Sequence, residues 1–447
     1  MPISPYATWM LGQEARALLT RVARVKPFAL VEPMVPAASL LPAAQAAIER
    51  QLVQGRHHLR RSIRAFLAWL AGPQAQRTTI EQAQRRFALL KLRFNAAVTQ
   101  FDLFNDAIMQ RSEHEAGVWL AGLDVASADA LRLPGAYYEV PPVVCYLDRG
   151  VGAAIRRART RLPGGGANPV AIIRVPRERM VGSGIASSLI HEVGHQAAAL
   201  LELVDSLRPV LQGMQRGGGD PQVWQLWERW ISEIVADMWS VARVGIASTM
   251  GLIGVVSLPR AFVFRLDLDD PHPVPWIRVK LSCALGDALY PHPQWARLAA
   301  LWEAYYPVGE LDPWRKRLLV QLQEAMPGFV SLLLNHRPER LRGRSLVDVF
   351  EVAQRQPARL SALFRVWSRR PADMYRASPT LVFAVLGQAR ADGALRPEDE
   401  AVLVAKLLTH WALRNALDTS SACATASTAT GATHALALQV EQRVRFP

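Results

Sequence analysis

The sequence predicts a mainly α protein with a small β-sheet, an α+β architecture, and three observations predict it. Long stretches return apolar residues every three or four positions, the period of one helix face. Only two short runs, 143–147 and 169–175, are rich in β-branched residues and punctuated by Pro and Gly. Finally, 447 residues, half of them hydrophobic and a fifth charged, suffice for a large buried core, which excludes disordered, collagen-like and disulfide-scaffold classes.

Residues 1–43 are interrupted by prolines and carry no clear period. From Pro42 the pattern is helical until Gly72-Pro73 stops it, and Thr78-Thr79-Ile80-Glu81 has the capping-box form that opens a second helix to about Arg111. The two strand candidates follow. Gly164-Gly165-Gly166 between them fails as a phosphate loop, because it lacks the Lys-Ser/Thr ending and leads into a strand. From Ile185 a helix is expected to run through 211, and Asp220-Pro221 caps the next, which carries Trp224, Trp227, Trp230 and Trp239. The apolar run 244–258 is shorter than the roughly 20 residues of a spanning helix and is bracketed by Arg243 and Arg260, so it reads as core and stable membrane insertion is not expected. Beyond it the chain is again helical, with Pro-rich joints near 271–275 and 291–293, and the small polar run 419–433 reads as a linker. The organisation expected is an N-terminal helical region (1–120), a central region (121–285) and a C-terminal helical region (286–447).

Net charge is +14, yet only five of the 52 basic residues are Lys and the arginines are scattered through helices. The densest group, Arg56 to Arg64, has the form of one helix face, so a nucleic-acid partner is not expected. Three widely spaced cysteines suit a reducing compartment, and the N-terminus lacks the pattern of a signal peptide; the expected location is cytoplasmic.

The chemistry centres on His191-Glu192-Val193-Gly194-His195. Two imidazoles four residues apart on a helix face one way and can reach a single Zn²⁺. Glu192 would then stand beside the metal, suited to take a proton from zinc-bound water and return it to the leaving amine. A catalytic zinc site takes a third protein ligand. His at +10 from the first histidine is absent, since Leu201 stands there, which removes the metzincin pattern. Glu233 on the Trp-rich helix is the leading candidate, with Glu202 and Glu228 behind it. Asp237, one turn after Glu233, can hold a ligand imidazole.

This order of motifs, H-E-x-x-H followed by Glu233-x-x-Ala236-Asp237, resembles the gluzincin metallopeptidases, most closely the CAAX-prenyl-protease and heat-shock membrane-peptidase branch and its minigluzincin relatives. The resemblance covers roughly residues 165–280. It implies a zincin-like catalytic core flanked by helical regions, Zn²⁺ on His191, His195 and Glu233, Glu192 as general base and Asp237 behind a ligand. His272-Pro273 with Arg278 is similar to the family's H-P-x-x-x-x-R segment, whose His and Arg face the substrate; here His272, Arg278 or a nearby Tyr would steady the oxyanion, with His272 and Arg278 as the candidate catalytic residues. The membrane helices of that branch have no counterpart in this chain.

The function expected is therefore a zinc-dependent metallopeptidase acting on a peptide or protein substrate. Strand 170–175, if it lies at a sheet edge, would pair with the substrate backbone. The alternative is a metal-stabilised or catalytically latent interaction protein.

Overall fold

Side-chain caps or N-terminal prolines mark where many helices of this chain begin. The computed structural model describes residues 3–25, 34–150, 152–162, 166–177, 182–217, 220–267 and 269–444. Helix α1 (Pro5–Arg24) starts on Ser4, whose side chain accepts from Ala7 N–H, and buries Leu11, Ala15, Leu18 and Val22 along one face. Helices α2 (Pro42–Ala71) and α3 (Pro73–Gln76) each begin on a proline. In α4 (Ile80–Met109) the capping box is real but shifted by one residue from the sequence expectation: Thr79 and Gln82 exchange the two bonds. That register turns Ala83, Phe87, Leu90 and Phe94 inward. These helices enclose one core.

Helix α5 (His114–Leu131), which had no separate place in the sequence reading, leads into a three-stranded sheet of β1 (Val143–Asp148), β2 (Ala154–Arg156) and β3 (Ala171–Pro176). Side chains alternate across a strand, and here each face meets a different core. Val144 and Ile172 join the N-terminal helices, whereas Val143, Cys145, Ala171 and Ile173 join the core of the rest of the chain. Burial on both faces explains why these strands read as continuous apolar runs.

The strand order is β1-β3-β2, with β1 parallel and β2 antiparallel to β3. This corrects the expectation for residues 170–175. Strand β3 is central, paired along its length with β1 and over Ile172 to Arg174 with β2, so it offers no free edge to a substrate. The outer edge of β1 is also closed. Gln110 bonds both the N–H and C=O of Leu147, while Asp124 accepts from Cys145 N–H and Arg111 donates to Cys145 O. The edge left is that of β2, which no strand candidate had included.

The chain then enters α6 (Ser183–Leu200). The single helix expected through 211 is broken at Glu202, which is left-handed (φ 54°), and resumes as α7 (Leu203–Arg216). The break turns Leu203, Leu207 and Leu211 into the second core. Helix α8 (Pro221–Val244) starts on Asp220 as expected, and Gly245 separates it from α9 (Ile246–Val256); Val244, Ile246, Ala247, Leu252 and Val256 of the run 244–258 join the core, whereas Leu258 at its end is exposed. Helices α10 (Arg260–Val263) and α11 (Pro275–Leu289) follow.

The C-terminal region is wholly helical: α12 (Pro293–Tyr305), α13 (Pro313–Asn335), α14 (Leu346–Val349), α15 (Pro357–Arg369), α16 (Pro371–Arg376), α17 (Pro379–Ala391) and α18 (Pro397–Val444). It shares its core with α5 to α11. The run 419–433 lies inside α18, in keeping with the high helix propensity of its alanines. Helix α18 crosses α5 at Gly122, where a Cβ would come within 2.4 Å of Leu408 O. Among the described residues no helix is long and apolar enough to cross a membrane.

Candidate metal centre

The centre forms where α6 and α8 cross. His191 and His195 project from one face of α6, their rings edge to face with centroids 4.8 Å apart. Gly194 between them decides how near α8 can come: a Cβ there would lie 2.8 Å from Ala236 Cα and 2.9 Å from Ala236 O. Only a hydrogen fits. Fully buried Trp227, Trp230 and Trp239 anchor α8, the last donating its indole N–H to Ala130 O of α5.

That approach brings Glu233 to both histidines. Its Oε2 lies 3.2 Å from His191 Nε2 and its Oε1 3.4 Å from His195 Nε2. Donors bound tetrahedrally at about 2.0–2.1 Å stand roughly 3.3–3.4 Å apart, so each histidine stands at a ligand's separation from Glu233, and the three ligand atoms lie within 4.8 Å of one another. Glu233 Oε2 is also buried without a well-aligned hydrogen bond, an acceptor that a cation would satisfy. The residues fit a small divalent ion, and among the described residues they are the one cluster of three that does.

The charges agree. Burial opposes the ionised form of Glu233, but its contacts with His191, His195 and His272 hold the carboxyl far below the usual range. Burial likewise opposes ionisation of Asp237 and is outweighed by Arg278 and His191. For His191, burial would lower the pKa, yet Asp237 and Glu233 raise it to about 9. Two carboxylates in a low-dielectric site thus gather positive charge around themselves, and a dication would replace the proton.

Asp237 Oδ1 lies 2.8 Å from His191 Nδ1, opposite the nitrogen that faces Glu233. The same carboxylate receives two hydrogen bonds from Arg278 of α11. Arg278 was expected to face a substrate; its Nε and Nη2 instead hold Asp237, although the residue still borders the cleft. His272 stands half-exposed at the cleft, its Nε2 3.1 Å from Glu233 Oε2 and its Nδ1 2.6 Å from Asp270 Oδ1. Asp270 also accepts from His272 N–H, an Asx turn whose signal was the Asp two residues earlier. Glu192 lines the same cleft and is mostly buried, which raises its pKa despite the flanking histidines. Glu202 and Glu228 are engaged elsewhere, the first with Arg340 and the second with Gln212 and Gln215.

The cleft extends to both sides of the centre. One end is bounded by Ser187 and Ser188, a turn before His191, with Ser248 and Leu252 of α9. The other is bounded by His195, Ser232, Arg157 and the edge strand residues Ala154 and Ile155. No C-terminal helix from α12 onward lines either end among the described residues. Strand β2 was missed because three residues, Ala-Ile-Arg, carry no legible period.

No protein-family model, curated protein or solved structure matches this chain.

Proposed function

We propose that the protein is a zinc-dependent metallopeptidase of the gluzincin type, hydrolysing peptide bonds in an open cleft. The observation that carries this reading is the convergence of His191, His195 and Glu233 at ligand separations, with a buried carboxyl, Glu192, beside them. A bound Zn²⁺ supplies Lewis-acid polarisation of the scissile carbonyl and makes water more acidic. The chain's own residues do the rest. Glu192 removes a proton from the attacking water and passes it to the leaving nitrogen. Asp237 orients His191, and Arg278 holds Asp237. His272, steadied by Asp270, donates to the oxyanion from the cleft side. An extended substrate pairs its backbone with the free edge of β2, at residues 154–156, in place of the strand first expected. Cys145 and Cys283, buried and free of disulfides, suit a reducing compartment such as the cytoplasm.

A second reading, a metal-stabilised or latent scaffold, draws on His272 Nε2 lying 3.1 Å from Glu233 Oε2, where a fourth nitrogen would close the shell. One experiment separates the two. The zinc-loaded protein is incubated with a degenerate peptide library and products are read by mass spectrometry. Glu192→Gln is expected to bind one zinc per chain and to lose about 10²–10⁴-fold in kcat/KM. Undiminished cleavage by that variant removes Glu192 as base, and a zinc-loaded wild type that cleaves nothing favours the scaffold.

A further inference from the structure

The two ends of the cleft differ in chemistry. At the Ser187 end the walls outside the centre and Arg278 are uncharged, with Ser187, Ser188 and Ser248 beside Leu252 and Val255, and the cavity is only about 120 Å³. At the His195 end the cavity is about 340 Å³ and the charged residue on its wall, apart from the centre itself, is Arg157.

The backbone at Arg157 is unusually well anchored. Its carbonyl accepts from Thr160 Oγ1 at 2.6 Å and from Asn168 Nδ2 at 3.1 Å. The next N–H, of Ala158, donates to the buried side chain of Gln196 at 2.7 Å, and Gln196 directly follows His195 on α6. Residues 154–156 are pinned by pairing with β3. The Arg157 Cα is therefore fixed relative to the metal centre although its side chain is exposed.

Neighbouring arginines have acidic partners: Arg159 pairs with Glu139 and Arg174 with Asp148. Among the described residues Arg157 has none, and neither has Arg156 beside it. A guanidinium held at the wall of a partly desolvated cleft, without its own carboxylate, is a receptor for one.

We propose that the cleft selects acidic peptides, with Arg157 reading a Glu or Asp side chain on the His195 side of the scissile bond, while the serine-lined end takes a small side chain. This deepens the peptidase reading and rests on it. The carboxylates of the centre do not oppose such a substrate, because Arg278 and the bound cation balance them.

The test uses full-length zinc-loaded Glu192→Gln protein, so that binding is read without turnover. Positional peptide libraries are matched in pairs, Glu against Gln at each fixed position, and affinity is measured by fluorescence anisotropy. An ion pair of this exposure implies about 1.5- to fivefold tighter binding of Glu peptides, declining as salt is raised. Adding Arg157→Gln should bring the ratio close to one, and Arg157→Glu should invert it. Arg159→Gln, altering the arginine already paired with Glu139, should keep it. Equal affinity for Glu and Gln peptides, or an unchanged ratio with Arg157→Gln, overturns the inference. Wild-type turnover is scored separately: cleavage without acid preference overturns the inference alone, whereas acid-selective binding without any cleavage overturns the peptidase reading and leaves the acidic-peptide cleft.

Discussion

Arg278 and Asp237 form a two-point contact, Nε to Oδ2 at 2.6 Å and Nη2 to Oδ1 at 2.8 Å. Because Oδ1 also lies 2.8 Å from His191 Nδ1, this one carboxylate links α11, α8 and α6. Both partners are almost wholly shielded from solvent, where a charge-assisted, bidentate geometry is worth most.

It follows that Arg278→Lys, which keeps the charge but not the planar fork, should weaken zinc binding by about 10- to 100-fold, measured by competition with a chromogenic chelator. The role can be separated from direct catalysis. At saturating zinc, a residue acting through Asp237 and His191 regains most of its turnover, so kcat of Arg278→Lys should approach that of the wild type. A persistent hundredfold loss in kcat at full zinc occupancy would make Arg278 an oxyanion donor instead.

Gly194 leads to a second prediction, because its lack of a side chain permits the helix crossing that unites the ligands. Gly194→Ala drives a methyl into the backbone of Ala236, and α8 must move away from α6. Overpacking of this kind costs about 1–3 kcal/mol, and here the displacement also carries Glu233 off His191 and His195. Thermal stability and zinc affinity should fall together. Gly122→Ala is the control: it forces an even closer clash, 2.4 Å from Leu408 O at the α5–α18 crossing, so it should lower stability at least as much while zinc affinity in the folded protein is kept. Equal zinc affinity in the two variants would sink the argument for the crossing.

The difference between what could and could not be read from the sequence follows the range of the interactions. His191, Glu192 and His195 are legible because four residues on a helix fix their relation locally. Glu233 and Asp237 are legible because ionisable groups on a Trp-rich apolar helix need a reason to be buried. The helical class, the strand cores and the cap at Asp220 follow from the same short-range rules. By contrast, the partner of Arg278 lies 41 residues away on a different helix, and no spacing rule reaches it. The central position of β3 depends on which strand docks beside it, and β2 is three residues long. The break at Glu202 is invisible because its apolar flanks continue the helical pattern on both sides; packing of Leu203, Leu207 and Leu211 selects it.

A third prediction concerns how the sheet is closed, since an open edge on β1 would compete with β2 for extended chains. Side chains, not a fourth strand, satisfy that edge. Arg111 and Asp124 pair at 3.0 Å with about 1 % exposure each, and between them they engage the N–H and C=O of Cys145; Gln110 does the same for Leu147 without charge. Asp124→Asn keeps an oxygen for Cys145 N–H but leaves the buried Arg111 guanidinium uncompensated, which should cost about 3–5 kcal/mol in urea unfolding. Gln110→Leu removes two neutral hydrogen bonds and should cost about 1–3 kcal/mol. The order of the two losses is the informative result. Were Asp124→Asn the milder change, backbone pairing and not the buried charge would govern this edge, and the ion pair would be incidental to the register that holds β3, and through it β2, beside the cleft.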